Sequence, residues 1–297
     1  MNIYLDCYPC VLRQALDAAR RTGVDEHIQF NIIRGILREL LIIPAEAAPP
    51  EITARIHRLI KQESGIDDPY QDVKRRDNEM VIKHYPRLKK IVTTSASPLL
   101  AAVKLAIAGN IIDSGASGGA FDLNETIEES LQAKLDGNDY RTFEGAIHDA
   151  SRILYLGDNA GEIVFDRILI EEIHKCTEAR VTFVVKGEPI LNDATLEDDL
   201  FIGMDTIAEV ITNGYDAPAT ILSRSSRELQ ETWKDADLII SKGQGNYESL
   251  SDVRGNIFFL LKVKCSVLAT DVGSDVGQSI LRKGIGRAVS RIEAPPM

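Results

Sequence analysis

The clearest indication of the fold class is the segment Ile153-Leu154-Tyr155-Leu156-Gly157-Asp158-Asn159-Ala160-Gly161. Four successive apolar residues are typical of a buried parallel strand, and a polar, glycine-flanked turn is typical of the step from a strand to a helix. Val181–Val185 and Leu238–Ile240 are further strands of this kind, and helical periodicity separates the three. The pattern predicts a Rossmann-like α/β domain with a mostly parallel sheet flanked by helices.

The first half of the chain has a different pattern, with apolar residues at helical spacing. We therefore predict an α-helical N-terminal region, residues 1–150, followed by a Rossmann-like domain, residues 151–297. The helices predicted in the first region are Val11–Arg21, Ile28–Leu41, Ile52–Ile60, Asp72–Tyr85, Leu99–Ala108, Thr126–Leu135 and Thr142–Ser151. Those predicted in the second are Glu162–Lys175, Ala194–Leu200 and Ala217–Trp233, with further strands at Asn256–Leu261 and Cys265–Ala269.

Composition and charge exclude several classes of protein. The 297 residues carry a net charge of −11, and no basic face is evident that could neutralise nucleic-acid phosphates. No apolar stretch is long enough to span a membrane, and the N-terminus lacks the pattern of a signal peptide. We therefore expect a cytoplasmic protein with neither nucleic acid nor membrane as a partner. The sequence leaves open whether the chain forms a homo-oligomer.

Polar side chains follow four of the predicted strands at the point where each strand ends. They are Asp158 and Asn159, then Lys186 with Asn192 and Asp193, then Lys242 with Asn246, and finally Asp271. In open α/β sheets, ligands bind beyond the carboxyl ends of the strands. If the strands are parallel and adjacent, these groups meet in one crevice.

The residue types in this crevice are those of a metal and phosphate site. Asp158, Asn159 and Asp193 offer only hard oxygen ligands, which suit Mg²⁺ or Mn²⁺. Lys186 and Lys242 can neutralise a phosphate as point charges. The alternative is that each Asp merely caps the helix after it, which is the more common role of a single such residue. Three such loops with lysines make the functional interpretation about as strong as the structural one.

Several short motifs, taken together, resemble a known family. They are Cys7-Tyr8-Pro9-Cys10, Asp68-Pro69-Tyr70 with Lys74 and Asn78, Ala108 to Asp113, Gly157 to Glu162, Lys186-Gly187 with Leu191 to Thr195, and Ser241 to Tyr247. The family was first called domain of unknown function 89 and was later described as metal-dependent damage-control phosphatases. The resemblance spans nearly the whole chain, and the opening motif is similar to that of the prokaryotic branch.

The resemblance implies an α-helical region on a Rossmann-like core, with a divalent cation held by Asp158, Asn159 and Asp193. It also implies that Lys242 contacts phosphate. Asp158, Asp193 and Lys242 are therefore the catalytic candidates. Substrates in this family are small phosphate esters such as sugar phosphates and damaged metabolites, often with Mn²⁺, Co²⁺ or Ni²⁺. A carboxyl methyltransferase activity has also been ascribed within the family.

Other residues are secondary candidates for binding the phosphorylated substrate. Lys186 and Asn246 follow strands that carry the predicted site. Glu162 is either a general base or a first-turn partner of the helix dipole. Asn110 and Asp113 either reach the site from the helical region or only fix their own loop.

Two alternative functions remain at this point. An S-adenosylmethionine-dependent methyltransferase would be expected to have a glycine-rich fingerprint and an acidic residue after the second strand. Here the glycine pattern is absent and that position is Lys186, so both features argue against this alternative. The other is a non-catalytic protein that binds metal and phosphometabolites in the same cleft.

Two further motifs have several interpretations. Cys7 and Cys10 could be half of a second metal site, a redox pair or a structural feature, and only the fold could bring Cys176 or Cys265 to them. The segment 115–119 fits the G-x-S-x-G pattern of a nucleophile elbow. It lacks the preceding strand and the following helix, so we interpret it as a loop.

Overall fold

The computed structural model describes residues 1–109, 123–136 and 139–286 of the chain. The helices in these ranges are α1 Cys7–Arg21, α2 Glu26–Leu41, α3 Pro49–Ser64, α4 Gln71–Ile82, α5 Tyr85–Thr93, α6 Pro98–Gly109, α7 Leu123–Gln132, α8 Tyr140–Asp149, α9 Ile163–Cys176, α10 Leu196–Ile202, α11 Arg227–Asp235, α12 Gly243–Leu250 and α13 Ser266–Val272. The strands are β1 Leu135–Asp136, β2 Arg152–Leu156, β3 Arg180–Val185, β4 Glu209–Thr212, β5 Leu238–Lys242, β6 Ile257–Lys262 and β7 Ser279–Lys283.

The described strands form one sheet in the order β1-β7-β6-β5-β2-β3-β4. Neighbouring strands are parallel except for β6 and β7, which are antiparallel. The prediction of a mostly parallel, Rossmann-like sheet is confirmed. After β2 the chain adds β3 and β4 on one side and then returns to add β5 and β6 on the other. The pair β2–β5 is therefore a topological switch point, where sheets of this class bind ligands.

Both faces of the sheet are covered, which explains the uninterrupted apolar runs of its central strands. Tyr155 and Ile240 contribute to a large core cluster that includes the apolar residues of α6 and α9. Leu154 and Ile239 point to the opposite face and pack with apolar residues of α12 and α13. Burial on both faces therefore fixes the register of each central strand.

Helices α1, α2 and α3 form a separate core cluster with Val11, Ile32, Ile36 and Ile56 at its centre. The large cluster around the sheet nevertheless draws on α6, and β1 pairs with β7. Both of these elements precede residue 150. The division of the chain at residue 150 stays a prediction.

Two predicted elements were wrong. Cys265–Ala269 was expected to be a strand but leads into helix α13, with Cys265 at its N-cap accepting a hydrogen bond from the Leu268 amide at 3.4 Å. A short apolar run does not distinguish a strand from a buried helix. The helix expected at Ala217–Trp233 is confined to α11. Ser226 caps the true start of this helix by accepting from the Leu229 amide at 3.1 Å.

Other boundaries also differ from the prediction. The helix expected at Asp72–Tyr85 ends at Ile82, and Pro86 lies in the first turn of a new helix, α5, where proline is well tolerated. Strands β1, β4 and β7 and helix α12 were not predicted, and Leu135, expected to end a helix, begins β1. Helix α12 begins Gly243-Gln244-Gly245, a sequence typical of a loop.

Candidate functional site

The loops after β2 and β3 are joined by backbone hydrogen bonds. Asn159 and Asp193 form an isolated antiparallel bridge. The Ala160 amide donates to the Asn192 carbonyl at 2.9 Å, and the Ala194 amide donates to the Asp158 carbonyl at 2.8 Å. The two loops that carry the three predicted metal ligands therefore lie side by side at the carboxyl edge of the sheet.

The carboxylate of Asp158 lies against the first residue of α12. A Cβ atom added at Gly243 would be 1.9 Å from Asp158 Oδ2, so only glycine leaves room for the carboxylate. Asn159 Nδ2 donates to the same oxygen at 3.2 Å. Burial, followed by the charges of Glu162 and Asp193, raises the pKa of Asp158 well above its ordinary value. The acidic side chains of this edge are thus close enough to repel one another.

Lys186 lies beneath the paired loops and is almost completely buried. Its Nζ atom donates to the Gly157 carbonyl at 3.1 Å and lies 3.2 Å from Asp193 Oδ2. Lys186, one of the two lysines that could neutralise a phosphate, is therefore engaged by one of the predicted metal ligands. In this arrangement it ties the loop after β3 to the end of β2.

Lys242, the last residue of β5, is fully buried between two acidic side chains. Its Nζ atom donates to Glu162 Oε1 at 2.5 Å and to Asp166 Oδ1 at 2.6 Å. Burial alone would lower the pKa of Lys242, but Asp166 and Glu162 outweigh that effect and raise it. Lys242 therefore stays charged although it is buried, because two carboxylates lie next to its ammonium group.

Glu162 is more than a helix-dipole partner. It is fully buried, precedes the first residue of α9 and accepts from Lys242, while its Oε2 lies 3.4 Å from Asn159 Nδ2. It therefore connects the predicted metal loop to the predicted phosphate lysine. Its role as a general base stays a prediction.

Asn246 has partners inside the protein for both ends of its amide. Its Nδ2 atom donates to the Lys242 carbonyl at 2.9 Å and to the Gly157 carbonyl at 3.3 Å. Its Oδ1 atom accepts from the Thr220 amide at 2.7 Å. These contacts hold α12 against the loop after β2, and the binding of phosphate by Asn246 stays a prediction.

The helical region also holds the site loops in place. Asn78 of α4 accepts from the Gly161 amide at 2.6 Å and donates to Asp198 at 2.9 Å. Asp198 in turn accepts from the Thr195 amide at 2.9 Å and lies 3.3 Å from Lys74 Nζ. The sequence showed Lys74 and Asn78 only as a matching motif, and the structure gives them a physical role in fixing both loops.

The remaining candidates lie elsewhere or outside the described residues. Asn110, Asp113 and the segment 115–119 are among the residues that the structure does not describe. Asp271 lies within α13, accepts from the Tyr247 hydroxyl at 3.0 Å and lines a separate cavity of about 280 Å³.

The cysteine pair lies at the start of α1. Cys7 and Cys10 are free thiols, and each is near enough to Cys265 and Glu248 to interact with them electrostatically. Burial, as the main cause, raises the pKa of both thiols. Within the described part of the chain, no three His, Cys, Asp or Glu side chains converge as a metal site. The metal, redox and structural interpretations of the pair stay predictions.

The sequence of the chain matches the model of a known protein family over most of its length. A family model described as the damage-control phosphatase ARMT1-like domain matches residues 3–280. The chain belongs to this family. The match includes both loops, Lys242 and the helical region that supports them.

Individual proteins and a solved structure are similar to this chain over nearly its whole length. A protein named damage-control phosphatase from Archaeoglobus fulgidus is 36% identical, over 95% of this chain and 99% of its own length. An uncharacterized protein of Methanocaldococcus jannaschii is 38% identical over 95% of this chain and 96% of its own length. The crystal structure of a DUF89 family protein from Pyrococcus horikoshii, at 2.04 Å resolution, has a TM-score of 0.88 and 33% identity, covering 96% of this chain and 99% of that one.

No helix among residues 1–109, 123–136 and 139–286 combines the length and hydropathy needed to cross a membrane.

Proposed function

We propose that the protein is a divalent-metal-dependent phosphomonoester hydrolase that acts on small phosphorylated metabolites, such as sugar phosphates or damaged phosphometabolites. The observation that carries the proposal is the pairing of Asn159 with Asp193, which brings the loops after β2 and β3 together. Lys242 approaches the same edge of the sheet from β5 through its contact with Glu162. Membership of the damage-control phosphatase family supports the class of reaction.

The charge of the site supports a bound cation. The buried ionisable side chains that these contacts connect are Asp158, Glu162, Asp166, Asp193, Lys186 and Lys242. When all are ionised, the carboxylates exceed the ammonium groups by two charges. A buried excess of negative charge is costly unless it is paired or coordinates a metal, and one divalent cation would balance it.

The chemistry of the donor atoms fits such a cation. Asp158 and Asp193 would supply carboxylate oxygens, and Asn159 would supply its amide oxygen. The assigned hydrogen bonds of Asn159 use Nδ2, so Oδ1 is the atom that faces no described donor. An all-oxygen set of this kind suits Mg²⁺ or Mn²⁺, and the family resemblance adds Co²⁺ and Ni²⁺. The bound cation would polarise the phosphoryl group.

The side chains of the protein would bind and orient the phosphate. Lys242 would offset the negative charge that develops on the phosphoryl oxygens, because its ammonium group is kept charged in a water-poor position. Lys186 would hold Asp193 in place through their 3.2 Å ion pair. Asn78 would keep the turn at Gly161 closed through its 2.6 Å hydrogen bond. Together these contacts would hold the loops and Lys242 in a fixed relative arrangement.

Release of inorganic phosphate from a panel of sugar phosphates tests the proposal. Protein stripped with EDTA should be inactive, and Mn²⁺, Co²⁺, Ni²⁺ or Mg²⁺ should restore hydrolysis. Asp158→Asn should lower the rate at least about 100-fold, as expected for loss of a group that holds the reacting centre. Asp237→Asn is a matched control, because Asp237 accepts from Ser151 and Arg152 amides at the opposite end of β2.

The same assay separates this proposal from the two alternatives. If stripped protein hydrolyses as fast as metal-loaded protein, the cation has no role in the reaction. If wild type and Asp158→Asn bind Mn²⁺ and phosphate differently but neither turns over any substrate, the protein is a binding protein. No contact described above favours a methyltransferase, and binding of S-adenosylmethionine in calorimetry would revive that alternative.

A further inference from the structure

A chain of fully buried polar side chains runs from β2 through α9 to β5. The Tyr155 hydroxyl donates to Asp166 Oδ1 at 2.7 Å. Lys242 Nζ donates to the same oxygen at 2.6 Å and to Glu162 Oε1 at 2.5 Å. Neither Tyr155 nor Asp166 belongs to the predicted metal or phosphate ligands, yet both are joined to the lysine of that site.

We propose that Asp166 is a positioning residue which, with Tyr155, fixes the ammonium group of Lys242 for contact with the phosphoryl group of the substrate. This inference rests on the proposed phosphatase function and extends it to two residues that touch neither metal nor substrate.

The hydrogen-bond capacity of Lys242 supports this role. An ammonium group has three N–H donors, and within the described residues two of them go to Glu162 and Asp166. The third is the one left for a ligand oxygen. A lysine side chain has four rotatable bonds to the nitrogen, so an unrestrained Lys242 would lose much rotational freedom when it binds phosphate. Two fixed acceptors impose that order beforehand.

The way Asp166 is held also supports a positioning role. Tyr155 and Lys242 share the Oδ1 atom, and Oδ2 is buried without a hydrogen-bond partner among the described residues. A buried carboxylate oxygen left unsatisfied costs stability, so its retention is expected where it serves a functional group. The Tyr155 hydrogen bond restrains Asp166, because it ties the carboxylate of helix α9 to a different element, strand β2.

Helix α9 carries a second arrangement of the same chemistry, which provides a matched control. Glu171 accepts a hydrogen bond from the Tyr85 hydroxyl and lies 2.8 Å from Lys89 Nζ. This Tyr–carboxylate–Lys set is partly exposed, and among the residues that the structure describes no hydrogen bond or ion pair joins it to a predicted site residue. Substitutions at Glu171 and Tyr85 therefore measure how loss of a Tyr–carboxylate–Lys set affects helix α9 when the predicted site is left intact.

The test is a double-mutant cycle in the sugar-phosphate assay with Mn²⁺. Asp166→Asn should lower kcat about 10- to 100-fold, and Tyr155→Phe should lower it about 3- to 10-fold, with the Mn²⁺ affinity from calorimetry unchanged. In a Lys242→Met background, Asp166→Asn should have almost no further effect, because the group that it positions is already absent. Glu171→Gln and Tyr85→Phe should stay within about twofold of wild type.

The outcomes of this cycle distinguish a positioning role of Asp166 from a purely structural one. If Asp166→Asn lowers the rate by the same factor with and without Lys242, Asp166 acts on folding in general and the positioning role is wrong. A wild-type rate in folded Asp166→Asn also overturns it while leaving the phosphatase proposal intact. If Asp166→Asn fails to fold by circular dichroism, Tyr155→Phe decides in the same cycle. A wild type that is inactive with every cation overturns the phosphatase proposal and this inference with it.

Discussion

Replacement of Gly243 by alanine tests how closely the loop after β2 approaches helix α12. Gly243 has a φ of +81°, and an added Cβ would lie 1.9 Å from Asp158 Oδ2 and 2.3 Å from its carboxyl carbon. Ordinary contacts of this type are well above 3 Å, so the carboxylate must move by more than about 1 Å. Gly273→Ala is the matched control, because Gly273 has a φ of +70° and nothing within 4 Å of the added atom.

The expected magnitudes follow from these two geometries. Both variants lose about 1–2 kcal/mol because alanine disfavours a positive φ. Only Gly243→Ala adds the cost of displacing a packed side chain, about 1–3 kcal/mol. If Asp158 holds the reacting centre, a displacement of about 1 Å should also lower hydrolysis about 100-fold.

Urea denaturation and Mn²⁺ titration by calorimetry measure the two effects separately. Gly273→Ala should lower the free energy of unfolding while keeping wild-type Mn²⁺ affinity and turnover. Gly243→Ala should lose stability, Mn²⁺ affinity and turnover together. Equal behaviour of the two variants in calorimetry and turnover would refute the placement of Asp158 as a ligand against helix α12.

Two further predictions concern residues outside the metal set. Burial, followed by the charges of Asp205 and Asp198, raises the pKa of Asp199 from 3.8 to about 7. Between these two pH values the folded state therefore binds more protons than the unfolded state. The free energy of unfolding should then fall as pH rises from about 4 to about 7. In urea denaturation, Asp199→Asn should therefore be more stable than wild type by up to about 4 kcal/mol at pH 8 and by little at pH 3.5. An equal difference in stability at both pH values would contradict the raised pKa of Asp199. Asn78→Ala should lower the free energy of unfolding by about 1–3 kcal/mol, because the Gly161 amide and Asp198 lose a buried partner. It should also weaken Mn²⁺ binding, and an unchanged Mn²⁺ affinity in calorimetry would show that α4 does not hold the metal loop.

The central strands could be predicted from sequence because burial on both faces leaves an uninterrupted apolar run. Residues 153–156, 181–185 and 238–240 all form strands as predicted. The same reasoning failed at Cys265–Ala269, since five apolar or small residues satisfy a strand and a buried helix equally well. It also missed α12, because two glycines in its first turn are typical of a loop until tertiary contacts hold them.

The loops of the site were predictable, but the partners of their side chains were not. Asp158, Asn159 and Asp193 were predicted as metal ligands because each follows an apolar strand, and the structure places the two loops that carry them side by side. Asp166 lies in the first turn of α9, where an acidic residue usually faces solvent and the positive end of the helix. Its burial depends on the packing of α9 against α6 in the core cluster that also contains the sheet, a long-range contact that no local pattern reveals.

The topology of the sheet explains why these groups meet where they do. At the switch point, the chains leaving β2 and β5 turn away from each other to opposite faces of the sheet, which opens a crevice between the two strand ends. Polar contacts cross this crevice: Lys242 to Glu162, and Asn246 to the Gly157 carbonyl. The close approach of Gly243 to Asp158 is possible only because no side chain occupies the start of α12. The groups that meet at this crevice therefore come from two strands, β2 and β5, that are far apart in sequence.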